Sequence, residues 1–542
     1  MATASDVTSD KKIYSFGTSG YRNDTDDGFS EAVIRQIVQA VSDFLITTME
    51  HENKALPVLV GGDTREKTKQ FIPVVCDQLT KAHLDVYQVN GDVPSPVLAY
   101  AAKFFDELVF EEMETAGAVL MTASHNPWAY GGINFLTPEG AVAPSAVSKQ
   151  FELYQKEPAC KVLDRAAYGL SEFPRVTVFD PYEIYQHHIR DTMAIDFKAI
   201  LASGLTIYYD PMYATGRRYL PRLLKDEGIA ITMIHGEDER PADFTRMPEP
   251  TAEHLPELVA MLRQAPGDQL RIGLANDGDA DRFGVLDENG DALNPNDVLA
   301  LTVYHLVKNR KQKGVIVRSQ ATTHLLDEIG KNLQLPIQQT PVGYKYIAEE
   351  FIDRERRIEE GEEELPVLIG GESSGGLSVI GHIPEKDGLL ANLLMCELVA
   401  TEKKPLTQIL SDLKNVVPGK YHFSELTIHT EHAPAVMTYY QNLTEQGGKL
   451  AGETVDADKS QRKAKKLEKK YGTRDGVKVY LEGGSWVLFR KSGTEPLIRL
   501  YLETRAESID ATRAKNEAML SQLITQLTEQ FGIAAKDIVQ KL

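Results

Sequence analysis

The chain has 542 residues, which is too long for a single hydrophobic core and predicts several domains. Hydrophobic residues make up 42% and charged residues 25%, as in ordinary globular proteins, and no apolar run approaches the roughly 20 residues that a membrane span needs. The formal net charge of −20 argues against nonspecific nucleic-acid binding, which needs a basic surface. If the ligand is an anion, positive charge must therefore be concentrated at its site.

The compartment can be predicted from the first residues and from the cysteines. The stretch 1–12 is polar and lacks the apolar segment of a secretion signal. Cys76, Cys160 and Cys396 are widely spaced and match neither a metal-binding nor a redox motif, so they predict buried thiols. Both features indicate a protein of the reducing cytoplasm, with no membrane partner.

Short apolar runs that end in polar, glycine-bearing loops recur along the chain and predict buried strands. They cover residues 56–65, 116–127, 205–216, 271–282, 365–376 and 484–496. Helical patterns lie between them, and they include residues 30–48, 387–401 and 511–532. This alternation predicts α/β layers with largely parallel sheets, in which ligands bind at the carboxyl ends of the strands.

Domain limits are expected near residues 195, 300 and 425. The predicted domains are therefore 1–195, 196–300, 301–425 and 426–542. The charged stretch 456–472 predicts the solvated face of a helix.

The segment "NDGDADRFGVLDE" offers three alternating carboxylates, Asp277, Asp279 and Asp281. Carboxylates in a loop can converge on one hard cation, and magnesium acting on phosphate suits this set. Glu288 at the twelfth position also suggests a calcium-binding EF-hand. Arg282 occupies the sixth position, where that loop needs glycine, and the flanking residues predict strands instead of helices. A solvated acidic hairpin tip is the structural alternative.

The segment "RKSGTEPLIR" combines guanidinium groups, hydroxyls and a glycine, a mixture that suits phosphate. Its candidate ligands are Arg490, Ser492, Gly493, Thr494 and Arg499, and a plain turn between two strands is the alternative. The segment "GGESSGG" places Glu372 and Ser374 close together, which suits sugar hydroxyls. A flexible linker is the alternative for that segment.

The segment "LMTASHNPWAYGGIN" raises the question of whether Ser124 is a nucleophile. Because neighbouring residues of an extended segment point in opposite directions, His125 is not expected to face Ser124. No G-x-S-x-G elbow is present either, so a serine hydrolase is poorly supported. The serine can instead carry a phosphoryl group, and a turn rich in Ser and Thr is the alternative.

Together these loops resemble the α-D-phosphohexomutase family, the phosphoglucomutases and phosphomannomutases. "TASHNP", "DGDADR", "GESSG" and "RKSGTEP" occur in the order of that family. Further matching segments are "FGTSGYR", "GGDTR", "YDPMYATG", "MPEPTAEHL", "TPVGYKYI" and "GHIPEKDG". The resemblance spans residues 13–505 and is most similar to the bacterial phosphoglucomutase branch.

The resemblance implies three mixed-sheet α/β domains and a C-terminal α+β domain around a central cleft. It implies that Ser124 is the phosphoserine and that Asp277, Asp279, Asp281 and a serine phosphate oxygen hold Mg²⁺. Glu372 and Ser374 match the sugar-binding pair, and the "RKSGTEP" loop with Arg499 matches the phosphate-binding loop. Arg22, His125, Arg282, Lys345, His382 and Lys386 are further candidates for the cleft.

One departure from the family concerns proton transfer. Family members usually carry lysine where this chain has Asn134, and that lysine is their usual candidate for the step. An asparagine amide does not exchange a proton at working pH. The resemblance therefore leaves His125, Arg22 or Lys345 to substitute, or a step that proceeds by positioning alone.

The predicted reaction interconverts α-D-glucose 1-phosphate and glucose 6-phosphate through a phosphoserine enzyme and glucose 1,6-bisphosphate, which also serves as activator. The alternatives are a phosphomannomutase, a phosphopentomutase or a noncatalytic sugar-phosphate-binding relative. The expected form is a monomer or a homodimer.

Overall fold

The computed structural model of the chain describes residues 12–17, 20–26, 28–109, 113–265, 267, 269–362, 365–492 and 496–541. The chain divides into two compact units, Met1–Tyr185 and Gln186–Leu542. In the described part of the chain, no helix is both long enough and apolar enough to cross a membrane.

The first unit is built on one mixed sheet. Its strands are β1 (Tyr21–Asp24), β2 (Val58–Gly62), β3 (Val86–Val89), β4 (Ala118–Met121), β5 (Tyr130–Leu136) and β6 (Val176–Phe179). Its helices are α1 (Glu31–Glu52), α2 (Glu66–Lys81), α3 (Ser95–Lys103), α4 (Phe105–Val109) and α5 (Ser145–Lys156), and α6 (Tyr182–His187) follows. The strand order is β1-β5-β4-β2-β3-β6, and β5 runs opposite to the other five strands, so that it is antiparallel to both β1 and β4.

The second unit contains two further mixed sheets. The elements of the first are α7 (Phe197–Ser203), β7 (Thr206–Asp210), α8 (Leu220–Asp226), β8 (Ile231–Met233), α9 (Pro256–Gln264), β9 (Arg271–Asn276) and β10 (Phe283–Leu286), in the strand order β10-β9-β7-β8.

The other mixed sheet of the second unit has the strand order β12-β11-β13-β14. Its elements are α10 (Pro295–Tyr304), β11 (Val315–Ser319), α11 (Leu325–Leu333), β12 (Ile337–Thr340), α12 (Tyr344–Glu359), β13 (Val367–Glu372), β14 (Gly376–Val379), α13 (Gly388–Glu402) and α14 (Leu406–Asn415).

The last sheet is antiparallel and has the order β18-β19-β20-β15-β21. Its elements are β15 (Lys420–His429), α15 (Ala433–Gln446), α16 (Ala457–Tyr471), β18 (Val477–Tyr480), β19 (Trp486–Lys491), β20 (Leu497–Ala506), α17 (Ile509–Phe531) and β21 (Ile538–Lys541). A small ribbon pairs β16 (Lys449–Leu450) with β17 (Glu453–Thr454).

The predicted fold class, three mixed-sheet α/β domains and a C-terminal α+β domain, is confirmed. The expectation of largely parallel sheets was too simple, because each mixed sheet ends in an antiparallel strand and the last sheet is wholly antiparallel. The domain limits at 195, 300 and 425 stay predictions.

Local sequence explains the elements that support the loops. In α1 the apolar residues recur at helical spacing, so Val33, Ile34, Ile37, Val38 and Val41 are buried against the sheet of the first unit. Helix α13 is apolar on every face and is accordingly buried along almost its whole length.

Composition alone predicts a solvated face for the charged helix α16 and burial for the three cysteines. Helix α16 confirms the predicted solvated helix in the charged stretch, since Ser460 and Leu467 are its buried residues. Cys76 and Cys396 are buried as expected, but Cys160 is exposed. Cys160 is exposed because it lies in an irregular segment after α5, where its backbone N–H binds the carboxylate of Asp43.

The candidate loops share one construction. In each mixed sheet a buried parallel strand leads into a polar loop, and an antiparallel strand returns from it: β4 to β5, β9 to β10, and β13 to β14. The fourth loop likewise joins β19 to β20. Every candidate loop is therefore the tip of a hairpin whose two strands are fixed by the core.

Candidate active site

Ser124 lies in a strained backbone conformation directly after β4. Its φ is 49°, in the left-handed region that residues other than glycine rarely adopt, and its side chain is buried. Because the segment turns there, Ser124 Oγ lies 3.2 Å from His125 Nδ1. The expectation that these two side chains point apart is wrong, since it assumed an extended backbone.

A buried carboxylate at the end of β2 supports this serine loop. Asp63 accepts hydrogen bonds from Thr122 Oγ1 at 2.9 Å, from Thr68 Oγ1 at 2.8 Å and from Arg65 Nε at 3.0 Å. The Thr122 hydroxyl in turn accepts the Ser124 N–H at 2.9 Å. The carboxylate therefore supports the turn that carries Ser124.

The guanidinium of Arg65 fixes the same loop from its carbonyl side. Its Nη2 donates to the carbonyl oxygens of Ser124 at 2.8 Å and Asn126 at 2.7 Å. Both members of the Asp63–Arg65 pair are 1% exposed in their side chains, so the pair belongs to the interior. The motif "GGDTR" matched the family in sequence, but its role as the scaffold of the serine loop was not predicted.

Two predicted residues of the first unit lie near this loop. Arg22, on β1, donates from Nη1 to Asn126 Oδ1 at 3.2 Å. Asn134 lies on β5 opposite Leu120 of β4, is 6% exposed, and accepts a hydrogen bond from the N–H of Phe135 at 2.9 Å. The residue at the position of the usual lysine is therefore a buried amide in the strand beside the serine loop.

The acidic loop joins two strands, β9 and β10, so the EF-hand alternative is excluded because that motif needs flanking helices. Asp277, Asp279 and Asp281 are all buried, and one oxygen of each lies within 4.8 Å of the others. Ala280 supplies the turn with a left-handed φ of 55°. Three buried carboxylates this close suit a divalent cation with oxygen ligands.

Two cations border the acidic loop. Lys386 Nζ forms an ion pair with Asp281 and lies 3.3 Å from Glu385 Oε1. Burial alone would lower the pKa of Lys386, but the carboxylates of Asp281 and Glu385 raise it above its ordinary value. Burial likewise opposes the charge on Arg282, but Asp277 and Asp281 raise its pKa overall. Both side chains therefore stay cationic beside the loop.

Glu372 ends β13 and lies at the start of the loop that continues to Gly376. Its Oε1 accepts the N–H of Gly343 at 2.8 Å. Burial raises the pKa of Glu372, while this hydrogen bond and the cations Lys386, Arg490 and Arg282 oppose the rise.

The sugar-loop candidates and the acidic loop are joined directly within the second unit. The N–H of Phe283 donates to the carbonyl oxygen of Gly375 at 3.0 Å. Ser374 is exposed at the tip of the hairpin, whereas Glu372 is buried. The flexible-linker alternative for this segment is excluded, because the segment is a hairpin turn between β13 and β14.

The fourth loop begins at the end of β19. Arg490 Nε donates to both oxygens of Asp475, at 2.9 and 3.1 Å, and lies opposite Arg499 in the sheet. The Ser492 N–H donates to the Leu497 carbonyl at 2.9 Å, and Arg499 is 45% exposed in its side chain. The predicted ligands Gly493 and Thr494 lie outside the described residues.

His382, a predicted substrate contact, has two partners within the protein. Its Nε2 is 2.9 Å from Asp387 Oδ2 and its Nδ1 is 2.8 Å from His188 Nε2, and its side chain is fully buried. Because both ring nitrogens have protein partners, His382 supports the segment that carries Lys386, and its contact with a substrate stays a prediction. Lys345 is half-buried at the start of α12, with Nζ 5.3 Å from the centre of the Tyr346 ring.

Comparison with known families covers all four segments of the chain. Models of the phosphoglucomutase/phosphomannomutase family match as alpha/beta/alpha domain I at residues 14–157, domain II at 183–290, domain III at 294–416 and the C-terminal domain at 453–519. The chain belongs to this family, the α-D-phosphohexomutases. It is therefore an enzyme of the phosphohexomutase type.

Several curated relatives match this phosphohexomutase over nearly their whole length. A phosphoglucomutase/phosphomannomutase of Thermococcus kodakarensis is 27% identical over 498 residues, which is 91% of this chain and 95% of the relative. A phosphoglucosamine mutase of Ruminiclostridium cellulolyticum is 25% identical over 512 residues, 92% of this chain and 97% of the relative. Relatives of similar sequence identity are thus named for different sugar substrates.

Solved structures agree on the fold. A Thermus thermophilus protein assigned as a phosphomannomutase is 28% identical, with a TM-score of 0.72 and coverage of 95% of this chain and 99% of that one. The parafusin phosphoglucomutase of Paramecium has a TM-score of 0.76 at 20% identity, with 97% of each chain covered. Because the Paramecium protein is only 20% identical, its similarity concerns the fold alone.

Proposed function

We propose that this phosphohexomutase is a phosphoglucomutase that interconverts α-D-glucose 1-phosphate and glucose 6-phosphate through phosphorylated Ser124. The observation that carries the proposal is the convergence of three loops within the second unit. The acidic loop bonds to the sugar loop through Phe283 and Gly375, and Lys386 pairs with Asp281 of the acidic loop. Arg490 is linked to Glu372 by hydrogen bonds that run through Asp475 and the backbone of residues 342–343. Metal ligands, a sugar ligand and an anion clamp in one place suit a phosphorylated sugar.

This local concentration of cations answers the problem that the net charge posed. The chain as a whole carries −20, which repels an anionic substrate at long range. Arg282 and Lys386 border Asp281 of the acidic loop, and Arg490 is linked to Glu372 through Asp475, so positive charge lies where it is needed to attract a phosphate. Buried cations are also screened less by salt than exposed ones.

The acidic loop fits Mg²⁺, because its three buried carboxylates are close enough for one hard cation. We propose Asp277, Asp279 and Asp281 as its protein ligands, with an oxygen of the Ser124 phosphate as a further one. When bound, the ion would neutralise part of the negative charge on the phosphate.

In the proposed transfer, a sugar hydroxyl attacks the phosphorus carried by Ser124. The new bond forms between the sugar oxygen and phosphorus, and the bond between phosphorus and Ser124 Oγ breaks. The hydroxyl proton passes to the His125 imidazole, and the imidazolium so formed gives a proton to the departing Ser124 Oγ. His125 is proposed for this step because its ring nitrogen lies 3.2 Å from Ser124 Oγ and it is a good proton carrier near neutral pH.

The bisphosphate formed must then turn over, so that its other phosphate returns to Ser124. Arg490, Ser492 and Arg499 are proposed to hold whichever phosphate is distal from the serine. Glu372 and Ser374 are proposed to bind sugar hydroxyls, since carboxylate and hydroxyl groups accept and donate hydrogen bonds. Glucose 1,6-bisphosphate is accordingly the proposed activator.

Glucosamine phosphate is a second candidate substrate, because some relatives are named phosphoglucosamine mutase. Relatives of similar identity are named phosphoglucosamine mutase and phosphoglucomutase/phosphomannomutase. Parallel assays on glucose, mannose, glucosamine and pentose phosphates, with and without the matching bisphosphate, decide among these sugars. The proposal expects the highest kcat/KM on glucose 1-phosphate, and a higher value on another sugar would replace glucose.

Ser124→Ala tests the phosphoserine directly. The variant is expected to lose nearly all mutase turnover while Mg²⁺ binding weakens only in part, because the three aspartates remain. Intact-mass measurement of the wild type, after incubation with the bisphosphate, should show one added phosphate of about 80 Da that the variant lacks. Ser42→Ala is the matched control, since Ser42 is a buried serine that donates to the Val38 carbonyl inside α1. Full turnover in Ser124→Ala would refute the assignment.

A further inference from the structure

Asp475 connects two of the loops that the proposed function uses. It comes directly before β18, and its carboxylate accepts Arg490 Nε at 2.9 and 3.1 Å. The same carboxylate accepts the backbone N–H of Val342 at 2.8 Å through Oδ2. Val342 lies between β12 and α12, so this one side chain bonds to both the antiparallel sheet and the neighbouring mixed sheet.

Gly343, the residue after Val342, contacts the loop that carries Glu372. The N–H of Gly343 donates to Glu372 Oε1 at 2.8 Å. Gly343 has a φ of 124°, which side chains rarely tolerate, so glycine is what allows two successive N–H groups to serve two carboxylates. The chain of contacts runs from Arg490 through Asp475 and the dipeptide 342–343 to Glu372.

Hydrogen bonds fix the backbone at Asp475 as well as its side chain. Its φ is 45°, a left-handed value that costs about 1–3 kcal/mol and persists only where the surroundings fix it. Gln320 Nε2 donates to the carbonyl oxygens of Arg474 and Asp475 at 2.9 and 2.7 Å. A strained residue tied down from both sheets is typical of a residue with a positioning task.

The contact also decides which nitrogens of Arg490 a ligand can use. Asp475 occupies Nε and so leaves the two terminal nitrogens for other partners. Neither of them has a hydrogen-bond partner among the residues that the structure describes. Two parallel N–H groups on one guanidinium match the spacing of two phosphate oxygens.

We propose that Asp475 is a positioning residue: it holds Arg490, the proposed phosphate clamp, at a fixed distance from Glu372, the proposed sugar ligand, through the backbone of Val342 and Gly343. This inference rests on the proposed function and extends it. The phosphate and sugar ligands lie on different sheets, and Asp475 sets their spacing. That spacing is the distance from the distal phosphate to the sugar hydroxyls, and it separates hexose phosphates from shorter sugars.

Asp475→Asn tests the proposal, because asparagine tolerates the left-handed conformation but lacks the charge that orients Arg490. Isothermal titration with glucose 6-phosphate should give a dissociation constant about tenfold higher than in the wild type, the loss of one charge-assisted hydrogen bond. Arg490→Ala should weaken binding as well, and Asp475→Asn in that background should add less than about twofold, because Asp475 acts through Arg490.

Controls separate positioning from a general loss of structure. Glu468→Gln removes an arginine–carboxylate pair a few residues away, the pair with Arg474 at 2.9 Å, and should leave the dissociation constant unchanged. Thermal unfolding checks that each variant is folded, and Asp475→Ser replaces Asp475→Asn if the latter is not. A merely structural role would lower the folded fraction but not the affinity of folded protein.

The outcomes also separate this inference from the proposed function. If the wild type interconverts glucose 1-phosphate and glucose 6-phosphate but Asp475→Asn binds glucose 6-phosphate as the wild type does, the inference is overturned and the function stands. If the losses of affinity caused by Asp475→Asn and Arg490→Ala simply added in the double variant, the inference would be overturned too. A wild type that neither binds nor converts a hexose phosphate refutes the proposed function itself.

Discussion

Strained backbone marks the candidate loops at the scale of single residues. Ser124, Ala280 and Asp475 have φ values of 49°, 55° and 45°, although none of them is glycine. Such a conformation costs about 1–3 kcal/mol and is retained where the site needs it. In the serine loop the strain brings Ser124 Oγ to the His125 ring, which an extended backbone would not do.

The missing lysine at position 134 gives a test at this scale. If His125 carries the proton, His125→Gln should lower kcat about 100-fold, a typical contribution of general acid–base catalysis. Asn134→Lys alone should keep or raise turnover, because it restores the ammonium that the family usually has. Adding Asn134→Lys to His125→Gln should recover part of the lost rate.

Steady-state kinetics of the four proteins measures this prediction. Unchanged kcat in His125→Gln would remove the imidazole from the mechanism. A collapse of turnover in Asn134→Lys would instead show that the site around this buried amide accommodates only a side chain like asparagine.

At the scale of elements, each candidate loop is a hairpin tip whose geometry depends on a neighbouring strand. The clearest case is the serine loop between β4 and β5, which is fixed by Asp63 and Arg65 at the end of β2. The parallel pairing of β2 with β4 places the ends of these two strands side by side. The scaffold therefore follows from the order of the strands in the sheet.

Removing the charge of Asp63 should loosen that scaffold. Asp63→Asn leaves the buried Arg65 guanidinium without its carboxylate, so we expect about 3 kcal/mol lower stability of the first unit and a large drop in turnover. Urea unfolding measures the first effect. Asp77→Asn is the control, because Asp77 forms exposed pairs with Arg35 and Lys81 whose loss should cost under about 1 kcal/mol. Equal losses in the two variants would contradict the assigned role of Asp63.

We expect the net charge and the acidic loop to make the stability of the whole molecule depend on divalent cations. Three carboxylates within 4.8 Å of one another repel when no cation is bound, and a bound cation stabilises the folded state by mass action. We expect MgCl₂ to raise the thermal midpoint of the wild type by several degrees, an effect of about 2.7 kcal/mol at a hundredfold excess over the dissociation constant.

Asp279→Asn should remove most of that magnesium effect and should raise the midpoint of the metal-free protein, because one of three like charges is gone. Differential scanning calorimetry with and without MgCl₂ measures both. Asp291→Asn removes an exposed acid that follows β10 and should behave as the wild type. If Asp279→Asn kept the full shift, magnesium would bind elsewhere.

Local sequence was enough to predict the buried strands, the amphipathic helices, the family and the residue types of the four loops. These features are local: an apolar run followed by glycine and polar residues predicts a strand end whatever surrounds it. The charge of the 456–472 helix and the apolar character of α13 likewise followed from neighbouring residues alone. Burial of Cys160 was predicted wrongly, because composition does not show which segment stays outside the core.

The contacts that hold the candidate residues in place depend on the fold and could not be predicted from the sequence. Arg65 is 59 residues from Ser124, Asp475 is 133 from Val342, and His188 is 194 from His382, so no periodicity connects these partners. A hydrogen bond depends on distance and angle between atoms that the fold brings together, and spacing along the chain does not encode either. For the same reason the buried partners of His382 could not be predicted, and Asp475, which no motif had singled out, emerged only from the structure.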